Sequence, residues 1–257
     1  MGFDEWMLGS ALAVPGLLIV RLYTWSGAGA ITFGRNQRQD TALNWEEVGD
    51  TPVIRRITGG RAVYHDPGEL TYSLAVNPAA PERQHLGGSI AKSSALFSKA
   101  LHDFAEQQGV PSDVVTRSAP ADASPAIFHK APCFASAARH ELIAADRKII
   151  ASAQRQVDGV ILQHGSIKLR GLAPHPALPG VGRAGQANVA REVGRAIWRQ
   201  AEASFRDIMG AHLRAKLVAC ELSEASVAEI RRMAEAVHAG PLARRAPVKQ
   251  TALANSL

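Results

Sequence analysis

The chain has 257 residues, 46% of them hydrophobic and 20% charged, a mixture that buries a core and excludes disorder as the default state. A formal net charge of +6 and a pI near 9.7 favour an acidic partner without choosing among acidic protein, membrane and nucleic acid. Two cysteines, Cys133 and Cys220, exclude a disulfide framework and a CxxC metal site, and they suit a reducing compartment.

No apolar run is long enough to span a bilayer: Pro15 to Val20 is short and meets Arg21. The opening Met1-Gly2-Phe3-Asp4-Glu5 lacks the basic segment of a secretory signal. A cytoplasmic protein is the expectation.

Asp4 to Val14 reads as a short helix ended by Pro15. Leu17 to Tyr23, Ala30 to Phe33 and Val53 to Arg56 read as strands. Ala62 to Tyr64 and Leu70 to Val76 flank His65-Asp66-Pro67-Gly68, a strong turn signal. Ile90, Phe97, Leu101 and Phe104 recur at helical spacing, so Gly88 to Gln108 is a helix with Gly109 as its stop. Val110 to Thr116 is a strand, and Ser118 to Pro132 a loop rich in Ala, Pro and Ser. Glu141 to Ala145, Lys148 to Ala153 and Val157 to Leu169 are three successive strands, the first two joined at Asp146-Arg147. Pro174, Pro176 and Pro179 forbid regular structure over Leu172 to Gly185. Ala187 to Leu213 is a helix, and Ser223 caps a last one running to His238.

A sheet-rich part over 1–170 and a helical part over 187–240 point to one domain over 1–257. The fold class is α+β, a mixed or antiparallel central sheet with flanking helices.

Four clusters carry chemistry. In Arg55-Arg56-Ile57-Thr58-Gly59-Gly60-Arg61 the glycines let backbone approach a ligand and the arginines add positive charge. Taken alone the Gly-Gly pair reads as a plain hairpin loop, and no Lys-Ser/Thr follows to make a Walker A loop. Cys133, ending the Pro/Ala loop, is either a small buried hydrophobe or a nucleophile. Lys148 opens an apolar strand whose alternation puts Lys148, Ile150 and Ser152 on one face and Ile149, Ala151 and Ala153 on the other; a lysine beside a thiol favours the thiolate. His164, in Leu162-Gln163-His164-Gly165-Ser166-Ile167, is a base or a satisfied core histidine. GxSxG and any metal-ligand spacing are absent, so neither metal nor cofactor is expected. Cys220 follows Leu217-Val218-Ala219 and reads as a core thiol.

Together these segments resemble the biotin/lipoate A/B protein ligase superfamily, most closely its cysteine-dependent octanoyltransferase branch. The resemblance rests on Arg55 to Asp66, on Glu69 to Ser73, on Cys133-Phe134, on Asp146 to Gln154 and on Leu162 to Ile167, with Arg21-x-Tyr23-x-Trp25 and Gly34-x-x-Gln37 ahead of them. It covers roughly residues 3 to 170, and the order of several individually weak motifs makes it specific.

The resemblance implies that Cys133 forms an acyl thioester and that Lys148 assists its proton transfers. It implies that Arg56, Gly59, Gly60, Arg61, Ala62, Tyr64, His65, Ser152, Ala153, His164 and Gly165 bind the substrate. The implied donor is octanoyl-acyl carrier protein, and the acceptor is a lysine of a lipoyl domain or of glycine-cleavage H protein. Neither nucleic acid nor membrane is an expected partner, and the expected state is a monomer. Ala151 stands where the family has Gly and Asp146 where it has another Gly, which leaves the chain-length preference open.

Rival readings are an ATP-dependent lipoate–protein ligase that dispenses with Cys133, an amidotransferase moving octanoyl or lipoyl groups between lipoyl domains, and a non-catalytic paralogue that only binds acyl chains or lipoyl domains. Arg191, Arg195 and Arg199 share a helix face, either a dock for the acidic carrier or an ordinary solvated face.

Overall fold

The computed structural model describes residues 1–25, 29–38, 43–66, 69–115, 133, 139–144, 147–168, 175–178 and 191–238. Its elements are α1 (Gly2–Ala13), β1 (Leu18–Thr24), β2 (Ala30–Phe33), β3 (Val53–Arg55), β4 (Val63–His65), β5 (Leu70–Val76), α2 (Ile90–Gln107), β6 (Asp113–Val114), β7 (Leu142–Ala144), β8 (Arg147–Val157), β9 (Val160–Ile167), α3 (Arg191–His212) and α4 (Glu224–His238). Six strands form one sheet in the order β1-β5-β9-β8-β7-β6, with every pair antiparallel. Three form a second sheet in the order β3-β2-β4, parallel between β2 and β3. The fold is α+β, with helices against an antiparallel main sheet.

Period-2 alternation decides what each face of the main sheet meets. Leu70, Tyr72, Leu74 and Val76 of β5 face α2 and α3, where they pack with Phe97, Leu101, Phe104 and Phe205. On the other face Ala75 and Leu162 pack under Met7, Leu8 and Ala11 of α1. The small sheet has its own core of Ile31, Phe33 and Ala62, joined by Ala177 and Leu178. Those two residues lie in the proline-interrupted stretch, and Asn44 N–H donates to Ala177 O at 2.9 Å.

Several expectations need correction. β4 and β5 flank a turn signal yet join different sheets, β4 beside β2 and β5 between β1 and β9. The Gly-Gly loop is not a hairpin either, because β3 and β4 both pair with β2 and not with each other. The hairpin turn between β8 and β9 is Asp158-Gly159, with φ of 48° and 82°; both residues take the left-handed region that a two-residue turn demands. Arg147 belongs to a strand, paired with Ala144, and not to a turn, while position 146 lies outside the described residues. Within the described part of the strand expected over Val110 to Thr116, residues 110–115, only β6 is strand.

β8 pairs Lys148 with Ile143 and Ile150 with Leu142, so Ile149 is an extra residue in the ladder. Such a bulge shifts the phase of the alternation. Ile149 and Ile150 both enter the helix-side core, and Lys148 shares the opposite face with Ala151, not with Ile150 and Ser152 as alternation predicts. Cys220 is exposed, not a core thiol. The run before it is an extended connection in which Leu217 packs on the core and Val218 points to solvent.

Candidate functional site

Between the α1 face of the main sheet and the small sheet lies a cavity of about 220 Å³. Arg56, Gly60, Arg61, Val63 and His65 border it from the small sheet and its loop. Ala151, Ala153, His164 and Ser166 form its floor on β8 and β9, with Thr71 and Tyr23 further along, while Ser152 and Gly165 also border it. Cys133, Lys148 and Glu141 close one end.

Cys133 is fixed by its backbone. Its N–H donates to Ala62 O at 2.8 Å, and its carbonyl accepts from Lys148 Nζ at 2.7 Å and from Arg61 Nη2 at 3.2 Å. Its side chain packs with Val63 and Ala151. Lys148 Nζ also lies 3.3 Å from Cys133 Sγ and 2.7 Å from Glu141 Oε2. An ammonium has three donors, and a carboxylate, a carbonyl and the thiol sulfur are among the acceptors around this one. Lys148 is 4% exposed, so its charge is compensated by Glu141 rather than by water.

Arg56 is buried and braces the glycine loop. Its Nη1 donates to Thr32 O at 3.1 Å and to Thr32 Oγ1 at 2.8 Å, and its Nη2 to Gly59 O at 3.0 Å and Arg61 O at 2.9 Å. Burial pushes its guanidinium down to about 10, opposed by the nearby Cys133 sulfur.

Two histidines anchor the site to buried carboxylates. His164 lies between Asp4 Oδ2, 3.3 Å from Nδ1, and Thr58 Oγ1, 2.6 Å from Nε2, so a chain of contacts links α1 to the glycine loop. His65 Nδ1 lies 2.7 Å from Glu69 Oε1 and its Nε2 2.7 Å from Thr32 Oγ1, with Trp25 stacked on its ring at 4.4 Å. Burial lowers the His65 pKa against the pull of Glu69, so the neutral ring donates from Nδ1 to the carboxylate and accepts from Thr32 at Nε2.

Burial alone would raise the Glu69 carboxyl, but the Lys168 ammonium and His65 outweigh it and hold Glu69 at about 2, below its ordinary 4.5. A folded-state pKa below the unfolded one stabilises the protein above pH 4.5 and is lost as pH falls toward 2. The gap in urea midpoint between wild type and Glu69→Gln is therefore expected to be widest above pH 5 and to narrow progressively by pH 3. A gap of constant size across that range would refute this.

Not every residue singled out from the sequence borders the cavity. Ala62 is in the small-sheet core, and it serves Cys133 through its carbonyl. Tyr64 packs its ring on His175 at 4.7 Å. Gly59 supplies a carbonyl to Arg56. Ser152 does border the cavity, but its hydroxyl is bonded to Tyr72 Oη at 2.8 Å, across the space that Gly165 leaves open: a Cβ there would stand 2.7 Å from Tyr72 Cε1 and 2.4 Å from Ala151 O. Sequence reasoning missed Glu141, Thr58, Asp4, Glu69 and Lys168. For Glu141 the available signal is a lone acid directly before the apolar Leu142-Ile143-Ala144.

Residues 1–173 match the lipoyl protein ligase A/B catalytic domain. The chain belongs to that family. Among curated relatives, octanoyltransferase LipM of Brevibacillus brevis is 35% identical over 156 residues, 58% of this chain and 54% of that protein. LipM of Kyrpidia tusciae is 33% identical over 207 residues, 80% of this chain and 73% of that protein. The chain thus spans little more than half the length of several curated relatives. Solved structures sharing the fold include lipoate-protein ligase A bound with ATP, with a TM-score of 0.65, 16% identity and coverage of 91% of this chain and 87% of that one. The bipartite lipoate protein ligase of Thermoplasma acidophilum has a TM-score of 0.60, 14% identity and coverage of 91% and 86%.

Among the described residues no helix is long and apolar enough to cross a membrane, and no group of three metal-ligating side chains comes together. Side chains of residues 191–200 lie outside the described set, and with them the arginine stripe expected on α3.

Proposed function

We propose that this member of the lipoyl protein ligase A/B family is an octanoyltransferase. It moves octanoate from octanoyl-acyl carrier protein to a lysine of a lipoyl domain or glycine-cleavage H protein, through a thioester on Cys133. The observation that carries the reading is Cys133 Sγ 3.3 Å from Lys148 Nζ at one end of a cavity of about 220 Å³. Relatives named octanoyltransferase LipM support it.

The cycle balances with Lys148 as the only proton carrier. The Cys133 thiolate attacks the donor thioester, its C–S bond forms, and the carrier sulfur leaves with a proton from the Lys148 ammonium. The acceptor lysine, as the free amine, then attacks the acyl-enzyme. A C–N bond forms, the bond to Cys133 breaks, and the neutral Lys148 amine takes the proton the nucleophile loses. The thiolate and ammonium are restored, and no ATP is consumed because a thioester is exchanged for an amide. Glu141, 2.7 Å from Lys148 Nζ, holds Lys148 in reach of the sulfur.

Wild-type protein incubated with octanoyl-acyl carrier protein, without ATP, is expected to gain the mass of one octanoyl group, and hydroxylamine should remove it. A protein that stays unmodified, yet lipoylates a lipoyl domain when given ATP and lipoate, would show a ligase instead.

A further inference from the structure

Cys133 packs over Ala151, and the register of the main sheet places Ala151 in a row with three other residues. Ala151 pairs with Ser166, Ser166 with Thr71 and Thr71 with Tyr23. All four border the cavity. The row runs across the strands, so its length is three strand spacings, about 14 Å from Ala151 to Tyr23. The reacting sulfur is at one end and an aromatic ring at the other.

The floor between them offers little to a polar ligand. Ser166 Oγ and Thr71 Oγ1 both turn to Glu69 Oε1, at 2.9 and 2.6 Å, and Thr71 also accepts from Trp25 Nε1 at 2.8 Å. Hydroxyls committed in this way leave methyl and methylene groups toward the cavity, the surface an alkyl chain requires.

The Tyr23 ring is held from outside. The Arg21 guanidinium stacks on it at 3.8 Å from the ring centre and on Phe3 at 4.2 Å, and Trp25 lies 5.9 Å away. A ring clamped on its outer side cannot swing away from an advancing chain without breaking a cation–π stack. An all-trans eight-carbon acyl chain spans about 9 Å from carbonyl to methyl, and each further pair of methylenes adds about 2.5 Å. Eight carbons therefore fit in front of the ring, and twelve overlap it.

We propose that Tyr23 is the end wall of the acyl cavity and sets the length of acyl chain that Cys133 accepts. This rests on the octanoyltransferase reading and assigns the specificity of the same site. Ala151, which packs on the sulfur end, controls room near the carbonyl and not the reach of the chain.

The test is a competition on the intact protein. Wild type, Tyr23→Ala, Tyr23→Phe and Tyr23→Trp are each mixed with equal amounts of hexanoyl, octanoyl, decanoyl and dodecanoyl thioesters of acyl carrier protein. The adducts are then counted by intact mass. Wild type and Tyr23→Phe should carry octanoyl predominantly. Tyr23→Ala should raise the dodecanoyl-to-octanoyl ratio by about tenfold or more, the size of effect that one or a few methylenes have in an apolar pocket. Tyr23→Trp should shift the preference toward hexanoyl, and it decides the matter if the alanine variant fails to fold. Octanoyl preference unchanged in both Tyr23→Ala and Tyr23→Trp would overturn the assignment while leaving the transferase reading intact. Absence of any adduct on wild type would overturn the transferase reading and the assignment with it.

Discussion

Cys133→Ala is expected to lose the hydroxylamine-labile adduct altogether and to lower octanoyl transfer at least about 10⁴-fold, the scale on which a covalent nucleophile is missed. Lys148→Met keeps the nucleophile and loses the proton carrier, so its transfer rate should fall by about 10²–10⁴-fold. The two losses should not add in the double variant, because without the sulfur there is no thioester for Lys148 to serve. Lys148→Met also breaks the ion pair with Glu141, whose side chain is 10% exposed, and breaking a buried pair costs roughly 3–5 kcal/mol. Glu141→Gln separates the two effects. It retains an acceptor for Lys148 and removes only the charge, so the fold should persist while transfer slows and its pH profile moves. Full activity in Cys133→Ala would sink the thioester mechanism. A Glu141→Gln protein with wild-type rate and pH profile would reduce Glu141 to packing.

What could be read from the sequence was local. Helix α2 announced itself by spacing and by its stop, Gly109, which takes φ of 73° just beyond it; its cap, Ser89, whose Oγ accepts from Lys92 N–H at 3.3 Å, falls inside the helix expected from Gly88. Ser223 caps α4 as its residue type suggests, accepting from Ser226 N–H at 3.2 Å. The glycine loop, Cys133 and Lys148 were legible because they fall in ordered short motifs.

The phase of β8 was not legible. One extra residue at Ile149 reverses which side chains share a face, and nothing in an alternating apolar run marks where a ladder will slip. The turn at Asp158-Gly159, across which Val157 pairs with Val160, carries its own signal, since Asp-Gly favours a two-residue hairpin turn; a strand taken from Val157 to Leu169 runs straight over it. The carboxylates that hold the site lie far along the chain from their partners, Asp4 from His164 and Glu69 from Lys168. A single sequence carries no signal for such pairs until topology brings them together. Topology is also what puts Tyr23 in line with Cys133, through three strand pairings between residues distant in sequence.

Glycine at 34 is expected to matter more than Gly59 of the loop it supports. A Cβ on Gly34 would stand 1.9 Å from Gly60 O and 2.9 Å from Gly60 C, and these are backbone atoms that no side-chain rotation can clear. The chain around Gly34 is tied to the loop on both sides: Arg56 N–H donates to Phe33 O at 2.8 Å and Arg35 N–H to Thr58 O at 2.8 Å. Arg55 Nη1 donates to Gly34 O at 3.0 Å. Relieving the clash must therefore displace Gly60 and with it Arg61, the residue that donates to the Cys133 carbonyl. Gly34→Ala should cost about 3 kcal/mol, the upper range for forcing a methyl into packed surroundings. That corresponds to a melting temperature lower by roughly 10 °C for a chain of this size. Gly59→Ala is the control, since its Cβ would meet nothing within 4 Å and its φ is not positive; it should stay within about 0.5 kcal/mol of wild type. Thermal melts of the two variants decide the point. Equal stability would mean that the contact between Gly34 and the loop is not the constraint that holds the loop against Cys133, whereas a large loss confined to Gly34→Ala would place that constraint in the backbone approach itself.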